Sequence, residues 1–137
     1  MVRLQRGPID AVALMSEVRT EGDGAVSLFL GTVRNVNAGR SVLFLEYEAY
    51  EGMAEREMER IAADASARFG VTGVAIVHRV GRVDIGEASI AIAVAAPHRA
   101  AAMDACRFVI DSVKTQAPIW KREHFVGGIV WVDGEQR

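Results

Sequence analysis

Two rhythms of apolar residues alternate along the chain. Ala25 to Val33 is apolar on both faces and predicts a buried strand. Val42 to Tyr50 predicts a second strand, with Leu45, Tyr47 and Ala49 on one face and Glu46 and Glu48 on the other. The short gap between them, with Asn35, Asn37 and Gly39 as turn residues, predicts an antiparallel hairpin with a long loop. Ala54, Met58, Ile61, Ala62, Ala65 and Phe69 recur at helical spacing, predicting a helix over 51–69 that Gly70 stops. Val74 to Val80 predicts a third strand, followed by a Gly81 turn. Ala88 to Ala96 alternates Ile90, Ile92 and Val94 with small residues and predicts a fourth. Pro97 opens a helix to about Ala117 with the stripe Ala102, Cys106, Val109, Ile110 and Val113, and Pro118 ends it. Pro8 marks the start of a short helix carrying Ile9, Val12, Ala13 and Val18, and the segment from Ile119 onward offers one or two strands. The order gives no regular βαβ alternation. It predicts an α+β fold, a mainly antiparallel sheet packed with helices in a single domain over 1–137.

Composition narrows the function classes. Apolar residues make up 50% and charged residues 25%, ordinary for a chain with a packed core. The net charge of −2 argues against a chain that lives on nucleic acid or acidic membranes. No apolar run reaches membrane-spanning length, and MVRLQRGPID has no apolar core of a signal peptide. One cysteine closes no internal disulfide and suits a reducing cytoplasm. Of 16 basic residues, 14 are arginine; Lys114 and Lys121 are the two exceptions. A lysine side chain, whose pKa moves readily, can act as acid, base or nucleophile, where arginine stays a fixed charge.

Pro118 lies between the two lysines, so they do not share one straight helix. A helix-to-strand turn would bring both heads to one pocket. Alternatively, Lys114 pairs with Asp111 on the surface and Lys121 is merely exposed. His98 and Arg99 follow Pro97 at a helix start, where backbone N–H groups and a guanidinium attract anions. Arg34 and Arg40 flank the loop after the first strand. His78, on the face of Val74 and Ile76, reads as a core or strand-end residue. Cys106 lies in an apolar stripe, which favours an inert core thiol over a nucleophile. Three scattered histidines and one cysteine have no metal-ligand spacing, and no glycine-rich nucleotide fingerprint is present.

Five motifs then occur in order: F-x-G-x-V-R from Phe29, L-x-Y-E-x-Y-x-x-M-A from Leu45, H-R-x-G from His78, P-H-R-x-x-A from Pro97 and K-x-x-x-P-I-W-K-x-E from Lys114. From about Val26 to Glu123 the chain closely resembles the catalytic subunit family of molybdopterin synthase. The resemblance implies a fold with an α/β-hammerhead element and a homodimer within a heterotetramer. The partner it implies is a small ubiquitin-like sulfur carrier ending in a Gly-Gly thiocarboxylate. The implied reaction converts cyclic pyranopterin monophosphate into the dithiolene of molybdopterin, without a metal or cofactor on this chain. Carried over, Lys114 and Lys121 are the expected active-site lysines. Arg34, His98 and Arg99 are expected to hold the phosphate, with Thr32, Val33, Arg122 and Glu123 lining the substrate site. Competing readings are a non-catalytic module for a ubiquitin-like partner or phosphorylated metabolite, an unrelated phosphate-transfer enzyme, and a structural oligomer.

Overall fold

The computed structural model describes residues 1–132. Its strands are β1 (Val2–Gln5), β2 (Ala25–Thr32), β3 (Val36–Asn37), β4 (Arg40–Ala49), β5 (Gly73–Arg79), β6 (Gly81–Asp84), β7 (Ala88–Ala96), β8 (Ile119–Phe125) and β9 (Gly128–Val132). Its helices are α1 (Ala11–Val18), α2 (Met53–Phe69) and α3 (Arg99–Gln116).

One sheet runs β1-β5-β7-β2. Its two middle strands, β5 and β7, are apolar on both faces because both are covered. Helices α2 and α3 cover one face, where Met58, Ile61, Val109 and Val113 meet Ile76, Ile92 and Val94. Helix α1 covers the other, packing Leu14 on Ala75, Val77, Ala91 and Ala93. The alanines keep that face shallow, so a helix of two turns can lie against it.

The second sheet is built on β4. Strand β8 pairs along it from Val42 to Ala49, and β9 continues from β8. On the other edge β4 pairs first with β3 and then with β6. Strands β3 and β4 are joined by Ala38 and Gly39, both at positive φ (49° and 77°), the backbone of a type I′ turn. The only parallel pairing among the described strands is β1 with β5.

The α+β class and mainly antiparallel pairing hold. Several local expectations change. Strands β2 and β4 do not form a hairpin: β2 pairs with β7, and β4 belongs to the other sheet. Residues 35–41 contain their own small hairpin instead of one long loop, which removes the reason for β2 and β4 to be neighbours. The Gly81 segment is not only a turn. Gly81 takes φ 86° and the chain re-enters extended structure as β6. Val2–Gln5 alternates Val2 and Leu4, which pack on the core, with Arg3 and Gln5, and it pairs in parallel with the edge of β5. The first helix begins after Asp10, whose carboxylate accepts from the Ala13 N–H at 3.0 Å, so Pro8 precedes the cap.

Gly24 sits where β2 starts beside the end of β7. A Cβ there would lie 2.5 Å from the Pro97 carbonyl oxygen, which is backbone and cannot swing aside. Gly24→Ala is therefore expected to cost about 1–3 kcal/mol through overpacking. Urea denaturation monitored by far-UV circular dichroism checks this; an unchanged midpoint would contradict the close approach.

Candidate functional site

A cavity of about 260 Å³ opens where the two sheets and the end of α3 meet. Its apolar wall includes Val33, Val42, Leu45, Ile90, Ile110 and Val113. Its polar groups are Thr32, Arg34, Asn37, Tyr47, His78, Ser89, Lys114, Lys121 and Glu123. A largely apolar wall with a few convergent polar groups is the usual form of a small-molecule site.

The two lysines reach it by different routes. Lys114 stands in the last turn of α3, after which Ala117 is extended (ψ 134°) and Pro118 prevents continuation. The chain then turns into β8, whose alternation points Ile119, Lys121 and Glu123 inward. Lys121 is only 8% exposed and faces Tyr47 across the β4–β8 ladder. Lys114 lines the cavity, and Asp111, one turn before it on α3, pairs with Arg107 at 3.3 Å.

Glu123 is 0% exposed. One carboxylate oxygen accepts from Asn37 Nδ2 at 2.7 Å and the other from Arg40 Nε at 3.0 Å. Arg40 also lies over the Phe125 ring, 5.1 Å from its centroid. The β3–β4 hairpin is thereby tied to β8 across the cavity.

Thr32, Val33 and Arg34 line the opposite side. The β2–β7 register shifts between Gly31 and Thr32, and Ser89 Oγ donates to the Gly31 carbonyl at 3.1 Å. Such a bulge re-aims the residues after it. Val33 is then held from both sides: its N–H donates to the Glu87 carbonyl at 3.0 Å, and its carbonyl accepts from Gly86 at 2.8 Å.

Three expected site residues lie elsewhere in this chain. Arg122 alternates to the outer face of the second sheet, 3.5 Å from Glu46 and over the Trp131 ring. One residue's step along a strand reverses the face, which separates it from Lys121 and Glu123. His98 and Arg99 are exposed at the N-terminus of α3. Arg99 is roughly 22 Å along the helix from Lys114 at ~1.5 Å per residue. Conversely, Tyr47, Asn37, Ser89 and His78 line the cavity without having been singled out as site residues. The inward phase of β4, with Tyr47 beside Leu45, is the signal that was there for Tyr47. Cys106 is buried, burial pushes its thiol pKa up, and its sulfur lies 4.0 Å from the Ile92 carbonyl, as fits a core residue. Among the described residues, no group of three or more His, Cys, Asp or Glu side chains is placed to hold a metal ion.

This arrangement can be set beside known proteins. The family model for the MoaE protein matches residues 4–116. The chain belongs to the MoaE family. A molybdopterin synthase catalytic subunit from Pyrococcus abyssi is 43% identical over 127 residues, covering 93% of this chain and 84% of that protein. One from Bacillus subtilis is 40% identical over 133 residues, covering 97% and 81%. Molybdopterin synthase from Staphylococcus aureus superposes with a TM-score of 0.91 at 35% identity, covering 94% of both chains. A complex of subunits 1 and 2 of molybdopterin-converting factor from Helicobacter pylori shares the fold at a TM-score of 0.79, 24% identity, and 96% and 89% coverage. MoaE relatives thus include molybdopterin synthase catalytic subunits, and the family places this chain in molybdenum cofactor biosynthesis. No helix among the described residues is long and apolar enough to cross a membrane.

The Glu123 tether makes a local prediction. Glu123→Gln removes the charge that Arg40 pairs with, and a charge-assisted hydrogen bond contributes about 1.5–3 kcal/mol. Amide exchange over residues 36–41 is expected to accelerate about tenfold or more, read by hydrogen–deuterium exchange. Unchanged protection there would show that the hairpin is held without the pair.

Proposed function

We propose that this chain is the catalytic subunit of a molybdopterin synthase acting in the cytoplasm, moving sulfur from a thiocarboxylated carrier onto cyclic pyranopterin monophosphate. The observation that carries the reading is the convergence of Lys114, from the end of α3, and Lys121, from β8, on a cavity that also holds Arg34. The carrier is a small ubiquitin-like protein whose C-terminal Gly-Gly tail enters the cavity. Its thiocarboxylate sulfur supplies the nucleophile, so no cysteine of this chain is required. The two ammonium groups stabilise the carbonyl oxygen of the tail as charge develops on it, and Arg34 binds the phosphate. Thr32, Val33 and Glu123 bound the pterin's place.

His98 and Arg99 serve the same phosphate from a second copy of the chain, in a homodimer at the centre of a heterotetramer. Two features support this. A full helix length separates them from Lys114 within one chain. Strand β2 pairs only with β7 among the described strands, leaving its other edge for a partner. Antiparallel pairing of two β2 edges would set the Ala25 end of one copy, next to His98, against the Thr32 end of the other.

Incubation with cyclic pyranopterin monophosphate and thiocarboxylated carrier, scored by mass for the dithiolene product, tests the activity. Lys114→Ala and Lys121→Ala are each expected to lower turnover by about 10²- to 10³-fold, the range for losing one oxyanion donor. Full turnover by Lys114→Ala would overturn the assignment. For the dimer, Lys114→Ala and Arg99→Ala proteins are expected to be inactive singly and to regain activity when unfolded together and refolded as mixed dimers. No recovery on mixing would place Arg99 outside the partner's site.

A further inference from the structure

Arg34, Lys114 and Lys121 suit the cavity to an anion, and Glu123, which lines it with them, opposes one. Glu123 is wholly buried, so water and salt do little to screen its charge. A bare carboxylate there would repel a phosphate held by the three cations. The β3–β4 hairpin answers this. Asn37 and Arg40 stand directly opposite each other across the Ala38–Gly39 turn. Residues so paired carry their side chains on the same face of the ladder, and here both meet one carboxylate. Asn37 Nδ2 donates to Oε2 at 2.7 Å and Arg40 Nε donates to Oε1 at 3.0 Å. The two donors differ in what they bring. Asn37 is neutral and lines the cavity. Arg40 brings a fixed positive charge and stands outside the lining. Its guanidinium lies over the Phe125 ring, 5.1 Å from the centroid, and its side chain is 33% exposed. It meets the carboxylate from a partly exposed position, without standing where a ligand would.

We propose that Arg40 sets the cavity's preference for an anion: it holds no ligand itself and acts by neutralising Glu123, so that Arg34, Lys114 and Lys121 meet a phosphate unopposed. The anion is the substrate's phosphate on the reading given under Proposed function, and the role of Arg40 rests on that reading only for the identity of the ligand. Arg40 is thus a specificity-determining residue that works through its neighbour. A tether and a charge have different consequences here. Removing either the Arg40 guanidinium or the Glu123 charge loosens the hairpin. Only removing the guanidinium leaves a negative charge facing the anion.

The test is a double-mutant cycle on the full chain, read by calorimetric titration with inorganic phosphate at low ionic strength. Arg40→Gln has a nitrogen in the place of Nε and lacks the charge. It is expected to weaken phosphate binding about tenfold or more, as a buried charge left without its ionic partner would. Glu123→Gln is expected to bind phosphate more tightly than the wild type, although its hairpin exchanges faster. With Glu123→Gln already present, Arg40→Gln is expected to change the affinity by less than about threefold, the scatter of uncoupled changes. Equal weakening by Arg40→Gln in both backgrounds would overturn the proposal, and so would weaker binding by Glu123→Gln than by the wild type. That second arm stands even where Arg40→Gln fails to fold. A wild-type chain with no affinity for inorganic phosphate would also overturn it. A wild-type chain that binds phosphate and makes no dithiolene overturns the sulfur-transfer reading and leaves the role of Arg40 standing.

Discussion

A carboxylate with no access to water has to find its partners inside the protein, and that constraint organises the cavity. Glu123 occupies an inward position of β8, and desolvating its charge unpaired would cost several kcal/mol. Its partners, Asn37 and Arg40, flank the two-residue turn between β3 and β4. Burying the carboxylate therefore folds that hairpin across the cavity. The Val42 N–H then reaches the Asn35 carbonyl at 2.9 Å, which fixes the chain immediately after Arg34. A cationic residue that would otherwise ride on a loose loop becomes part of a wall.

The second sheet keeps its two chemistries apart by strand alternation alone. Its inner face carries Lys121, Glu123, Leu45 and Tyr47. Its outer face carries a ladder in which Arg82 lies over Phe44, Phe44 stacks on His124, His124 bonds to Glu46, and Arg122 bridges Glu46 and Trp131. Partly exposed pairs of this kind each stabilise by about 0–1 kcal/mol. Their larger effect is to cover the flat ring of Phe44 and to hold the register that presents Lys121 inward.

Most elements were legible because their periods were long. Helix α2 and strand β7 follow directly from the spacing of Met58, Ile61 and Ala65 and of Ile90, Ile92 and Val94. Pro118 marked a turn between the two lysines, both of which line the cavity, but position alone left a surface role for them equally open. What the sequence did not disclose is which strands become neighbours. Strands β2 and β4 are close in the chain and belong to different sheets, because the small hairpin at 35–41 satisfies the intervening backbone. Val2–Gln5 and Gly81–Asp84 are four residues each, too short to stand out in the sequence, and each pairs with a longer strand. Arg122 was misplaced by reading a neighbour in sequence as a neighbour in space. His98 and Arg99 show another limit: a motif marks residues in the chain without saying where the fold puts them, and here they stand exposed at the start of α3.

Helix α3 acts as a ruler. Its first residue is Arg99, and its final turn carries Lys114, which lines the cavity. Each residue advances the helix by ~1.5 Å and turns it by about 100°. A single inserted or deleted residue would thus rotate Lys114 out of the cavity while leaving Arg99 where it stands. The helix cannot change length by one and keep both ends in their present orientation.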